Sequence, residues 1–375
     1  MAGQPTAGAL VRRAKRITVK IGTSLLVDAD GLRTEWLASL AEDLASLRSE
    51  GRQLVIVSSG AVALGRNRLG LSRSARLEMK QAAAATGQPL LMESWAQAFS
   101  RNDIPVAQLL LTFGDTESRR RWLNARATIE TLLDKGAVPI VNENDSVATE
   151  ELRYGDNDRL SARVAQMVRS DVLLLLSDVD GLYTANPRSR RDARHIAFVE
   201  ELTPELMNAA GPAHGEGVGS GGMRTKLEAA RIAGRFGCAT VIASGQGQHP
   251  VRALLDDSAR STVIAGQGSP ASAYKQWIAA ALAPTGGLLV DAGAVAALRS
   301  GRSLLAAGIR GVEGEFSRGE CVSVAGPSGE IARGLVGYSA DETRAIAGLR
   351  ASDIAGRLGY NRGDAVIHRN DLVLL

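Results

Sequence analysis

The chain has 375 residues, 45% hydrophobic and 22% charged, with a formal charge of +4; this is the make-up of a soluble globular protein long enough for two domains. The positive charge forms no long basic run, so charge alone does not imply a nucleic-acid partner. Two cysteines, Cys238 and Cys321, lie far apart and form no CxxC pair, which argues against a disulfide framework or a Cys-based zinc site, and the four histidines share no HxxxH or HExxH spacing. No N-terminal apolar core of a signal peptide and no membrane-length apolar run is visible, and the expectation is a cytoplasmic protein.

In chain order, apolar runs at 17–21, 54–57, 105–111, 137–141, 172–176 and 239–243 read as strands. Segments 34–50, 75–100, 116–133 and 223–236 read as helices between them. Strands alternating with helices predict an α/β fold with a mostly parallel sheet sandwiched by helices. The run Val172–Leu176 does not alternate, as expected for a strand buried on both faces. Near residues 265–272 the character changes. A short helical stretch leads to Pro284, and Gly-rich strand-like pieces follow, with ten Arg balanced by ten Asp or Glu from Pro284 to Leu375. The expected organisation is a large α/β domain over 1–268, a linker helix over 269–284 and a small, mainly β domain over 285–375.

Four loops, each after an expected strand, hold residues suited to chemistry, and open α/β sheets bind ligands at the carboxyl ends of their strands. In "VKIGTS" (19–24), Ile17, Val19 and Ile21 alternate with Arg16, Thr18 and Lys20. Lys20 therefore sits either on a solvated face or at a strand end, where its ammonium meets an anion over the Gly22 turn. Only six of the 44 basic residues are lysine. In "IVSSGAVALG" (56–65), Ser58 or Ser59 is either a helix N-cap or part of an anion site made with free helix N–H groups. The segment 138–165 gathers Asn142, Glu143, Asn144, Asp145, Asp156, Asn157 and Asp158. Capping accounts for one or two of them; the full set suits a ligand carrying both an ammonium and carboxylates. A metal is the rival reading, but no histidine supports a transition metal. The fourth pair is "LLLLSDVDGLYTANP" (173–187) with "GEGVGSGGMRTKLEAARIAGRFG" (215–237). Its glycines satisfy GxGxxG without a preceding strand, which argues against a Rossmann site and leaves a phosphate cradle. Lys226 falls in the first turn of the following helix, where a cation opposes the dipole; it is either exposed or facing a bound phosphate. No Gly-Lys dipeptide of a Walker A loop and no protein-kinase signature is present.

Taken together, "VKIGTS", "IVSSGAVALG", "VPIVNENDSVA", "YGDNDRLSA", "LLSDVDGLYTANP" and "GVGSGGMRTKL" resemble the motif set of the glutamate 5-kinase branch of the amino acid kinase family. The C-terminal region resembles a PUA domain. The resemblance implies transfer of the ATP γ-phosphoryl group to L-glutamate, giving glutamyl 5-phosphate, the first step of proline biosynthesis. It implies Lys20 and Lys226 as catalytic cations. Ser59, Asp145 and Asn157 would bind glutamate, with Asn142, Asp156 and Asp158 close by. Lys20, Ser177, Asp178 and the run Ser220, Gly221, Gly222, Met223, Arg224, Thr225, Lys226 would contact ATP. Mg²⁺ would arrive with ATP, without protein ligands assigned. L-proline as feedback inhibitor, a homo-oligomer and coupling to glutamyl phosphate reductase are implied in the same way. Two alternatives stand: another small-molecule kinase of the family, or an RNA-binding protein acting through the PUA-like domain. The near-zero charge of that domain weighs against the second.

Overall fold

The computed structural model describes residues 4–29, 31–72, 76–148, 157–187, 190–209, 222–269, 272–275, 278, 283–361 and 363–375. It divides into two compact units, Met1–Ser118 with Asn124–Pro270, and Arg119–Leu123 with Ala271–Leu375. Half of the expected linker helix, 269–284, lies outside the described residues; 272–275 and 278 are helical.

The first unit begins with α1 (Ala7–Arg13), β1 (Arg16–Ile21), α2 (Thr23–Leu26), α3 (Thr34–Ser49), β2 (Gln53–Ser58), α4 (Ala61–Leu69) and α5 (Leu77–Ser100). Then come β3 (Val106–Leu111), α6 (Phe113–Glu117), α7 (Arg119–Asp134, of which Arg119–Leu123 group with the second unit), β4 (Val138–Glu143), α8 (Asn157–Met167) and β5 (Val172–Ser177). The remainder is β6 (Leu182–Tyr183), β7 (His195–Ile196), β8 (Phe198–Val199), α9 (Pro204–Ala209), α10 (Met223–Gly234), β9 (Ala239–Ser244), α11 (Pro250–Leu255) and β10 (Ser261–Ile264). All six expected strands are present within one or two residues at each end. The segment expected as one helix over 116–133 is two, broken at Ser118, which has extended backbone. The sequence reading passed over β8, which is two residues long, and β10, which is four and runs into the Gly- and Ser-rich stretch 265–269.

Eight strands form one sheet in the order β3-β4-β2-β1-β5-β9-β10-β8, parallel except for the β9–β10 pair. Chain order reverses direction at β1: β2 lies on one side of it and β5 on the other. That places β1 at the topological switch point, where an open α/β sheet leaves a crevice above its carboxyl ends. Both faces of the sheet are covered. Ile17, Val19 and Ile21 join Trp36, Leu40 and Leu44 of α3 and Leu91, Trp95 and Phe99 of α5 in one apolar layer. Leu173 and Leu175 of β5 pack with Ala162 and Ala165 of α8 and Leu227 and Ala230 of α10 on the opposite side. The second layer decides the question left open for β1. Thr18 and Lys20 are 0% and 4% exposed, so the alternation marks two buried faces and the solvated reading of Lys20 fails.

Glycines let α4 and α5 touch backbone to backbone. A Cβ at Gly87 would lie 1.9 Å from Ala61 O, and one at Gly65 would lie 1.7 Å from Ala83 O. This close approach brings α5 against the start of α4, next to the ends of β2 and β4.

The second unit contains β11 (Gly286–Val290), α12 (Ala292–Arg299), β12 (Leu304–Leu305), β13 (Ile309–Gly314), β14 (Cys321–Gly326) and β15 (Gly329–Leu335). It ends with α13 (Ala340–Ile346), α14 (Ala351–Leu358), β16 (Ala365–Ile367) and β17 (Leu372–Leu374). A five-stranded sheet in the order β13-β11-β14-β15-β17 closes over Leu288, Val322, Val324, Tyr338, Ile346 and Ile354. Helices α12, α13 and α14 accompany the strands of this small, mainly β unit. Their starts carry local signals: Asp291 caps α12 through Ala294 N at 2.8 Å, and Ser339 with Glu342 forms a capping box on α13.

Candidate active site

Parallel register puts Lys20 level with Val57 of β2 and Leu175 of β5, one residue short of the carboxyl end of β1. Its ammonium lies 2.6 Å from Asp158 Oδ1. Asp158 is fully buried in the first turn of α8, where the helix dipole favours a carboxylate. The other oxygen of Asp158, Oδ2, lies 3.2 Å from Lys226 Nζ and accepts a hydrogen bond from Thr225 Oγ1 at 2.9 Å. Thr225 Oγ1 also reaches Gly222 O at 2.8 Å. One carboxylate thus fixes two lysines from different elements, β1 and α10.

Lys226 is 3% exposed, which removes the exposed reading of this residue. Its place in the first turn of α10 is unfavourable to a cation, and the charge of Asp158 opposes that effect directly. Gly22 follows Lys20 by two residues with φ −74°, a value open to any residue. An added Cβ would stand 3.9 Å from Lys20 Nζ, at ordinary van der Waals distance.

A second, neutral cluster adjoins the charged one. Asn157 Nδ2 lies 2.8 Å from Ser59 Oγ, 2.9 Å from Asn142 Oδ1 and 3.3 Å from Ser58 O. Asn142 Nδ2 in turn donates to Gln88 Oε1 at 2.9 Å. Asn157 and Asp158 are consecutive, so the start of α8 serves both clusters. The helix-cap reading of Ser58 and Ser59 does not hold: Gly60 is the N-cap of α4, at φ 108°, with no side-chain cap. Ser58 is buried and accepts from Trp95 Nε1 at 3.0 Å. Asp145 is half-buried in the turn after β4 and lines a cavity of about 190 Å³ with Gln88, Glu143 and Asn144.

Ser177 ends β5 beside Ser244 of β9, and Asp178 after it is exposed. The loop that follows is tied down by Tyr183, whose hydroxyl donates to Asp180 at 3.0 Å and accepts from Arg260 at 2.9 Å. Met223 and Arg224 open α10 half-buried, and Arg224 lies 3.5 Å from Glu228. Asp156, Ser220 and Gly221 lie outside the described residues.

The described structure therefore brings Lys20, Asp158, Thr225 and Lys226 together, and Ser59, Asn142 and Asn157 together beside them. Sequence reasoning passed over Gln88 and Trp95. Their signal was present: Ala84, Gln88, Leu91, Trp95 and Phe99 form one buried stripe of α5, and Gln88 interrupts it with an amide. Among the described residues no group of three or more His, Cys, Asp or Glu side chains is placed to hold a metal ion. No described helix is long and apolar enough to cross a membrane.

The amino acid kinase family model matches residues 15–244, and the PUA domain model matches residues 286–358. "Glutamate 5-kinase 1" of Rhizobium meliloti (strain 1021) is 54% identical over 363 residues, 96% of this chain and 92% of that protein. The "Glutamate 5-kinase" of Caulobacter vibrioides (strain NA1000 / CB15N) is 54% identical over 366 residues, 96% of this chain and 97% of its own. That of Paramagnetospirillum magneticum (strain ATCC 700264 / AMB-1) is 54% identical over 364 residues, covering 96% and 98%. With the motif order, the sheet and these full-length likenesses in agreement, the chain belongs to the glutamate 5-kinases of the amino acid kinase family and carries a PUA domain at its C-terminal end.

Proposed function

We propose that the protein transfers the γ-phosphoryl group of ATP to the γ-carboxylate of L-glutamate, forming glutamyl 5-phosphate and ADP. The observation that carries this is the pair of buried ammoniums, Lys20 and Lys226, held by the single carboxylate of Asp158 at the carboxyl ends of the strands. A polyphosphate bound beside the pair would meet two fixed positive charges at once. A γ-carboxylate oxygen forms the new bond to Pγ as the bond from Pγ to the β,γ-bridging oxygen breaks, and ADP leaves with that electron pair. The nucleophile is ionised at neutral pH, so no proton has to be removed. Catalysis then rests on alignment and charge neutralisation, which fixed ammoniums supply without reorganising.

In this reading Lys20 and Lys226 contact the transferring phosphoryl group and Asp158 positions both. Ser59, Asn142, Asp145, Asn157 and, by its place in the sequence, Asp156 hold glutamate. Ser177, Asp178 and the segment Ser220–Lys226 hold ATP. Mg²⁺ is carried on the polyphosphate as part of the substrate, where it neutralises phosphate charge; the oxygens of Asp158 already engage Lys20, Lys226 and Thr225. The acyl phosphate is labile, which supports a glutamyl phosphate reductase as the consuming partner. Inhibition by L-proline and assembly as a homo-oligomer complete the proposal, on the strength of the family resemblance.

The test is acyl-phosphate formation trapped as hydroxamate, with glutamate, aspartate, acetylglutamate and carbamate as acceptors and UMP followed by ADP release. Turnover with glutamate alone, suppressed by proline, is expected. Turnover with a different acceptor would keep the phosphate site and overturn the assignment of the 142–158 segment.

A further inference from the structure

Helix α5 contributes one polar side chain to its buried stripe, Gln88, which is 7% exposed. A primary amide offers two donor hydrogens and an accepting oxygen. The oxygen is used: Oε1 accepts from Asn142 Nδ2 at 2.9 Å. Nε2 is buried and has no hydrogen-bond partner among the described residues. A buried donor left unmade is costly, and such groups mark places where a partner is missing. Gln88 also lines the cavity of about 190 Å³, whose other walls include Ala61, Pro89, Glu143, Asn144 and Asp145. The cavity thus combines acidic side chains, suited to an ammonium, with an amide donor suited to a carboxylate oxygen.

We propose that Gln88 is a specificity-determining residue for the acceptor: its Nε2 group donates to a carboxylate oxygen of the amino acid held in this cavity. Its Oε1 meanwhile holds Asn142 and, through Asn142 Oδ1, the Asn157 amide that reaches Ser59. The inference deepens the functional reading given above and rests on it. One side chain then does two things: it keeps the neutral cluster in register and reads the acceptor's charge. The two roles separate chemically. In Gln88→Glu an oxygen remains to accept from Asn142, but the donor is replaced by a second acceptor that repels a carboxylate. In Gln88→Met both polar atoms go at similar volume.

Wild-type protein and both variants are assayed with glutamate and ATP varied independently, and nucleotide binding is read separately with a fluorescent ATP analogue. The expected result is a glutamate KM raised at least tenfold in Gln88→Glu and several-fold in Gln88→Met. The KM for ATP and the affinity for the analogue stay within twofold, and kcat falls far less than kcat/KM, as for a contact made equally in ground and transition states. Should the buried charge of Gln88→Glu prevent folding, Gln88→Met carries the same test. A glutamate KM within twofold of wild type in the folded variants would overturn the proposal. So would a fall in kcat at unchanged KM, which would leave Gln88 a support for Asn142 alone. Wild-type protein without glutamate-dependent turnover would overturn the underlying reading of the site instead, and that is seen before any variant is compared.

Discussion

Substituting Asp158 by Asn tests the charged cluster at its centre. The change is isosteric and leaves an oxygen to accept from Thr225, but it removes the negative charge shared by Lys20 and Lys226. Both ammoniums and the carboxylate are at most 4% exposed, so solvent cannot take over the missing role. Removing one partner of a buried pair costs about 3–5 kcal/mol, because the remaining charge stays desolvated. The conserved hydrogen-bonding shape places Asp158→Asn near the lower end, about 3 kcal/mol. For a unit of this size that lowers the melting temperature by roughly 6–12 °C. Added polyanion changes the outcome. ATP or inorganic tripolyphosphate binds the folded state through the same ammoniums and should raise the melting temperature of the variant more than that of the wild type. The activity should fall by about 10²-fold or more in kcat, since the lysines lose their fixed positions. Thermal unfolding with and without tripolyphosphate, beside hydroxamate formation, measures all of this. A variant that melts within about 2 °C of wild type and gains nothing extra from polyanion would refute the reasoning.

Two further predictions concern the scaffold. Gly87→Ala places a methyl group 1.9 Å from Ala61 O, so α5 must move off α4; a loss of about 1–3 kcal/mol in chemical denaturation is expected, with a raised glutamate KM. Denaturation unchanged from wild type would show that the two helices yield freely. His195 is held below the ordinary histidine range, first by burial and then by the nearby cation of Arg260. Above about pH 6.5 both folded and unfolded forms are neutral; as the pH falls through that value the unfolded chain takes up the proton first. Stability attached to His195 is therefore lost on acidification, and the fall in melting temperature between pH 7.5 and 5.5 should be shallower in His195→Gln. A slope equal in both proteins would remove His195 from the pH response.

Much of this site is legible in the sequence, and the illegible part has a physical pattern. Strands β2, β4 and β5 contain continuous apolar runs, and polar residues at or just past their ends are among those the sheet gathers. The alternation of Ile17, Val19 and Ile21 with Thr18 and Lys20 was visible; that α8 and α10 cover the second face was not, because coverage is a property of tertiary packing. Asp158 was visible as one acid among several in a polar segment. Its pairing with Lys20, 138 residues earlier, and Lys226, 68 residues later, depends on the order of strands across the sheet. Gln88 and Trp95 sit inside a long helix whose apolar spacing reads as core, and core they are. Only the fold reveals that this core lies directly behind Asn142 and Ser58. In the C-terminal unit the short Gly-rich strands stand out and the helices do not, although Asp291 and Ser339 announce their starts.

The most direct measurement is the steady-state kinetics of Lys20→Ala against wild type, with glutamate and MgATP varied separately and the acyl phosphate trapped as hydroxamate. Lys20 acting on the phosphoryl group in flight predicts a kcat lowered by about 10³-fold with the glutamate KM changed only a few-fold. Lys20→Arg should not restore the rate, because a planar fork does not fill the place of a compact ammonium 2.6 Å from Asp158. An unchanged kcat with a raised KM would contradict the account and make Lys20 a ground-state binding group.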